Sequence, residues 1–138
     1  MDFSCYVTIK NLTNKSFSLV SYNEEEGTYN PRPLPPEIKS QVGQIFFTLS
    51  GDFSSDGSKG SVTYSSSGKQ ITFDYKCPSI YDNVISVSLN QTEFIITYYG
   101  TNQFIVWNPD GSNWGLPNNF PPRRHPLNIL FVVKELQG

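Results

Sequence analysis

At 138 residues the chain is long enough to bury a core as one domain, residues 1–138, without disulfide or metal staples. Charged residues make up 16% and the formal net charge is -2, which argues against nucleic acid as a partner held on a basic face. Aromatic residues at 14%, with 10 glycines and 10 prolines, give the composition of an all-β protein with many turns.

The first residues, MDFSCYVTIK, have neither a basic n-region nor an apolar h-region, so a soluble chain without a secretory signal is expected, and the three Asn-x-Ser/Thr sites read as turns. No apolar run approaches the ~18 residues of a membrane span, and the longest, residues 129–133, reads as a buried strand. Cys5 and Cys77 allow at most one bridge. Their spacing does not decide whether they form it, and buried free thiols are the expectation.

Cys5, Val7 and Ile9 alternate with Tyr6, Thr8 and Lys10, which predicts a half-buried first strand. Residues 11–15 form a turn, and Phe17 and Leu19 continue an opposite strand, so an opening hairpin is expected. Glu24-Glu25-Glu26-Gly27 reads as a solvated loop. Residues 30–41, with Pro31, Pro33, Pro35 and Pro36, read as a long crossover between sheets. Residues 42–50 resume as a strand whose two apolar faces, Ile45, Phe47 and Leu49 against Phe46, suggest a central position.

Residues 57–83, GSKGSVTYSSSGKQITFDYKCPSIYDN, carry the clearest hairpin grammar in the chain. Val62 and Tyr64 alternate on one strand and Ile71, Phe73 and Tyr75 on the next, with Ser65-Ser66-Ser67-Gly68 as the turn. Gly57 and Gly60 mark a bulge or a close backbone approach. Cys77-Pro78 ends central pairing, so residues 79–83 form a loop that presents Tyr81. Residues 85–89, 94–99 and 104–107 then predict three consecutive strands of a meander. Residues 108–126 are a second irregular stretch, residues 127–136 a closing strand, and almost no helix is expected.

A catalytic constellation is hard to assemble from these residues. His125 is the single histidine, no Gly-x-Ser-x-Gly elbow or phosphate-cradling loop is present, and the acidic run 24–26 has no matching cluster to hold a metal. No enzyme activity, cofactor or metal is therefore expected. Binding is better supported, because aromatics at strand ends and in loops supply contact area at low entropic cost. Tyr81, Tyr98, Tyr99, Trp107 and Trp114 are the candidates, and Arg123 and Arg124 match phosphate oxygens with their guanidinium forks.

The 57–83 stretch resembles the aegerolysin pattern of a glycine-rich entry, a strand, a short turn, and a strand ending in aromatic-x-Cys-Pro before an Asn-containing turn. Gly27-Thr28-Tyr29 and the proline-containing crossover are similar to the small insecticidal bacterial members of that family, and the strand-Pro-loop-Tyr arrangement is similar to the actinoporins. The resemblance implies a two-sheet antiparallel β-sandwich made without a signal peptide, cytoplasmic until released, that recognises a membrane lipid with a sphingolipid-type headgroup. It further implies the membrane-recognising part of a cytolytic, haemolytic or insecticidal pair with a larger pore-forming partner protein, and allows a homo-oligomer. By position it places Lys76, Pro78 and Tyr81 in the headgroup site and makes Tyr98 and Tyr99 the counterpart of a tyrosine pair. The departures are the missing amphipathic helix of the actinoporins, the longer loop 108–126, and Tyr75 where a tryptophan is usual. The alternative is a soluble lectin of the fungal fruit-body type that binds a glycan.

Overall fold

The computed structural model describes residues 2–51 and 56–136. Ten strands, β1 (Cys5–Asn11), β2 (Phe17–Glu26), β3 (Thr28–Asn30), β4 (Glu37–Ile38), β5 (Gly43–Ser50), β6 (Gly57–Ser66), β7 (Lys69–Pro78), β8 (Val84–Leu89), β9 (Phe94–Thr101) and β10 (Leu127–Glu135), make up its regular structure. They form two five-stranded sheets in the orders β3-β5-β1-β10-β9 and β4-β2-β6-β7-β8. The two-sheet β-sandwich that the resemblance implies is present, and no helix occurs among the described residues.

Alternation explains the core. Val7, Ile9, Phe47, Leu49, Ile129 and Phe131 from the first sheet meet Phe17, Val62, Tyr64, Ile71, Phe73 and Tyr75 from the second, all buried. β10 is buried on both faces because Leu130 and Val132 on its outer side lie under Trp107, Tyr99, Ile105 and Trp114. That double burial is why residues 129–133 lack alternation.

Three expectations about pairing are corrected. β1 and β2 do not form a hairpin: β1 pairs with β5 and, in parallel, with β10, while β2 pairs with β6 and β4. Asn11, fully buried, sends its amide to Lys15 O at 2.7 Å and Lys39 O at 3.0 Å and takes the Thr13 N–H at 3.0 Å. These bonds lift the chain out of the first sheet into the second. Two strands with one apolar face each satisfy the same pattern whether they pair or face one another.

The predicted meander is also divided between sheets, since β8 borders β7 and β9 borders β10. Residues 104–107 are not a strand. The Asn128 amide donates to Gln103 O at 3.2 Å and Ile105 O at 3.1 Å, which pins the segment flat on the first sheet. Glu24–Glu26 are the end of β2 rather than a loop, drawn into the ladder by β6 through a register shift between Glu24 and Glu26.

The β6–β7 hairpin follows its grammar closely, with the turn narrowed to Ser67 and Gly68 at φ 50° and 80°. The prolyl stretch does cross between layers, running from β3 in one sheet through β4 in the other and back to β5. Cys5 and Cys77 are buried free thiols, and burial pushes the Cys77 thiol up to about 12. A thiol reagent at mildly alkaline pH should therefore leave the native protein unlabelled and modify both cysteines in denaturant. Labelling of Cys77 in the native state at the denatured rate would show that this end of the sandwich opens.

Candidate functional site, a charged cleft at one end of the sandwich

The register brings the starts of β1, β6, β8 and β10 to the same end as the finishes of β5, β7 and β9. Ser58 ties the two layers there, donating its hydroxyl to Phe3 O at 2.7 Å and lying 3.4 Å from Cys5 Sγ. Tyr75 and Cys77 point into the core, so Lys76 between them points out. Its partner directly across the ladder is Lys59.

Like charges opposite one another destabilise a sheet unless something offsets them. Glu25 Oε2 lies 2.9 Å from Lys59 Nζ and raises the lysine's pKa, chiefly through that hydrogen bond. Lys76 takes no carboxylate among the described residues. Its Nζ instead sits 5.4 Å from the centre of the Tyr81 ring, a cation–π arrangement that leaves the ammonium open to an anion. Glu25, Glu26 and Asp56 line a cleft of about 330 Å³ together with Lys59, Lys76, Pro78 and Ser79, and the exposed Ile80 and Tyr81 complete its lining.

Asn83 holds the loop of Ile80 and Tyr81 in place. It is buried, its N–H donates to Pro122 O at 2.8 Å, and its side-chain amide donates to Pro121 O at 3.1 Å and Arg124 O at 3.0 Å. Arg123 Nε reaches Asp82 at 2.8 Å across the same junction. Loop 79–83 is therefore clamped to loop 121–124, while Ile80 and Tyr81, each 68% exposed, project beyond it. Phe104, 73% exposed, lies edge-on to Tyr6 over the outer face of the first sheet, apart from this cleft.

The nine candidates from the sequence fall into separate groups. Lys76, Pro78 and Tyr81 line the cleft, while Arg123, through Asp82, and Arg124, through its carbonyl on Asn83, belong to the loop clamp beside it. Tyr99, Trp107 and Trp114 instead pack on the outer face of the first sheet. Trp107 donates its indole N–H to Asn128 Oδ1 at 3.1 Å, and Trp114 lies 5.2 Å from Tyr99. Tyr98 packs against Phe120 beside the main core. The His125 ring packs at a tilt against Phe3, 4.1 Å between ring centres, and no group of three potential metal ligands occurs among the described residues.

Glu25, Lys59 and Asn83 were not picked out from the sequence. Lys59 was accessible, because a turn at Ser67-Gly68 counts back from Lys76 to Lys59. Glu25 is hidden by the register shift in β2, and Asn83 acts only through a loop about 40 residues away in sequence, its partners being Pro121 to Arg124. Asp74, two residues before Lys76 on the same face, has its carboxyl raised above the ordinary value of 3.8 by partial burial and then by Glu25. An acid whose folded pKa exceeds its unfolded one loses stability as pH rises from the unfolded value through the folded one. Asp74→Asn should therefore melt modestly higher than wild type at neutral pH, with the gain vanishing in acid below the carboxylate range.

No family model and no curated protein sequence matches the chain. Solved structures do. The lipid binding protein Nakanori superposes with a TM-score of 0.62 at 9% identity, covering 94% of this chain and 70% of that one. The RahU protein, in complex with a TRIS molecule, gives 0.59 at 9% identity, with 96% of each chain covered. What is shared is the fold. At such identity no residue role is carried across, and the cleft stands on its own geometry. No helix among the described residues is long and apolar enough to cross a membrane.

Proposed function

We propose that the protein binds a membrane lipid through the Lys76–Tyr81 cleft and is the membrane-recognising component of a two-part cytolytic or insecticidal system. The observation that carries this reading is the arrangement at the cleft: an ammonium without a carboxylate partner, held over an exposed Tyr81 ring, beside the exposed Ile80. Lys76 supplies charge for a headgroup phosphate, Glu25 and Glu26 in the same lining supply carboxylates for a headgroup ammonium, and Arg123 is held on Asp82, next to Tyr81. Tyr81 and Ile80 have the amphipathic and apolar character that residues at a bilayer interface need. The lipid binding of the structurally similar Nakanori supports the same reading. With no amphipathic helix among the described residues, pore formation falls to a larger partner protein.

Sedimentation with vesicles of sphingolipid plus sterol, of ceramide phosphoethanolamine, and of phosphatidylcholine alone tests this. Selective pelleting is expected, reduced about 10-fold or more in Tyr81→Ala, which loses both the interfacial ring and the cation–π contact. Vesicle leakage should appear only when a pore-forming partner is added. Absence of pelleting on every vesicle, together with retention on a glycan array, would move the assignment to a lectin.

A further inference from the structure

Four strand edges bound the two sheets, and three of them are blunted. β4 has two residues. β3 has three, and its Tyr29 N–H is taken by Glu24 Oε2 at 2.8 Å. The β9 edge is covered where Asn118 exchanges bonds with Tyr98, N–H to O at 2.8 Å and Oδ1 from N–H at 3.2 Å. β8 has six residues, VISVSL, with no proline, charge or bulge to discourage pairing.

The direction of its backbone groups follows from its neighbours. Asn90 N–H donates to Gln70 O on the β7 side, and hydrogen-bonding residues alternate along an antiparallel strand, so Val84, Ser86 and Ser88 face β7. Ile85, Val87 and Leu89 then direct their N–H and C=O groups outward, where no partner meets them among the described residues.

We infer that β8 pairs antiparallel with β8 of a second copy about a two-fold axis at Val87. Residues 85–89, Ile-Ser-Val-Ser-Leu, are a pseudo-palindrome, which is what an isologous interface requires. The two-fold sets Ile85 against Leu89 of the partner copy, Val87 against itself and Ser86 against Ser88. All three outward-facing residues fall in hydrogen-bonded pairs, and apolar side chains meet apolar ones on the core side, serines meeting serines on the other. Leu89, 41% exposed, is thereby covered, and the apolar trough between β8 and β9, lined by Ile85, Val87, Phe94 and Ile96, is closed on its β8 flank. A foreign strand would satisfy the same backbone groups; a second copy in addition matches every side-chain pair across the axis, apolar against apolar and serine against serine. The axis reverses strand direction, so the two clefts lie at opposite ends of the dimer and one bilayer engages one cleft at a time.

Light scattering across micromolar concentrations should give twice the chain mass, and Ser86→Lys/Ser88→Lys, which sets lysines against lysines in two pairs, should return the mass to that of one chain with an unchanged circular dichroism spectrum. The register has its own test. Ser86→Cys and Ser88→Cys proteins, mixed under mild oxidation, should cross-link with each other and much less with themselves, since residue 86 faces 88 and not 86. A wild-type protein that is monomeric at every concentration and gives no cross-link overturns the inference. So does self-cross-linking of each variant equal to the mixture, or a monomer whose edge takes up an unrelated extended peptide.

Discussion

Gly60→Ala should lower the stability of the fold by about 3 to 5 kcal/mol, read as a fall in the urea midpoint at unchanged slope. A Cβ at that position would stand 2.6 Å from the Tyr29 hydroxyl, 2.7 Å from Asn23 O and 2.9 Å from Leu49 Cδ2. The crowded hydroxyl is the junction of the two sheets. It lies 2.6 Å from the Tyr75 hydroxyl and donates toward Ser61 O at 3.1 Å or Asn23 O at 3.3 Å, between rings that are almost wholly buried. Moving it leaves buried polar atoms without partners as well as overpacking the core, so the two costs add. Gly68→Ala is the control, because that residue has φ 80° but open space around it and should cost only about 1 kcal/mol. Equal losses for the two substitutions would show that the strands part easily at Gly60 and that the tyrosine junction does not hold them.

Asn83→Ala should abolish most vesicle binding, about 10-fold or more, while reducing stability by only about 2 kcal/mol. Its side chain never touches the cleft. It acts by holding loop 79–83 on the carbonyls of Pro121 and Arg124, and without it Ile80 and Tyr81 lose their fixed presentation. Asn83→Asp is expected to be worse than alanine, since a carboxylate would replace the donor opposite two carbonyl oxygens. The measurement is vesicle affinity set beside the urea midpoint, both at a temperature where each variant is folded. Wild-type affinity in Asn83→Ala would remove the loop clamp from the account of the site, and a loss of affinity no larger than the loss of folded protein would make Asn83 a purely structural residue.

The candidate site was partly legible for the same reason that the hairpin was. Tyr81 is presented by a loop that the Cys77-Pro78 stop predicts, and Lys76 and Pro78, to which only the family resemblance pointed, adjoin it on the same strand end, so their proximity is a short-range matter. Trp107 and Trp114 show the limit: rich in contact area and placed in an irregular stretch, they nonetheless pack over Leu130 and Val132 because the outer face of β10 needs a cover. Nothing local distinguishes an aromatic that covers a sheet from one that meets a ligand. Exposure decides it, and exposure is set by what the distant β10 leaves unburied.

Alternation of apolar residues, glycine and proline placement, and the 67–68 turn determined most of the strands, the all-β class and the 57–78 hairpin, since each depends on φ/ψ preferences and side-chain period within a few residues. Which strands became neighbours was decided only in three dimensions. A period of two records that a face is buried but not against what, so β1 and β2 lie in opposite sheets instead of pairing, and the last strand slips in between β1, to which it runs parallel, and β9, to which it runs antiparallel. The cleft is a product of that closure. Glu25 reaches Lys59 through a register shift, and Asn83 reaches Pro121 and Arg124 because β8 and β10 begin at the same end of the sandwich, a proximity no local pattern encodes.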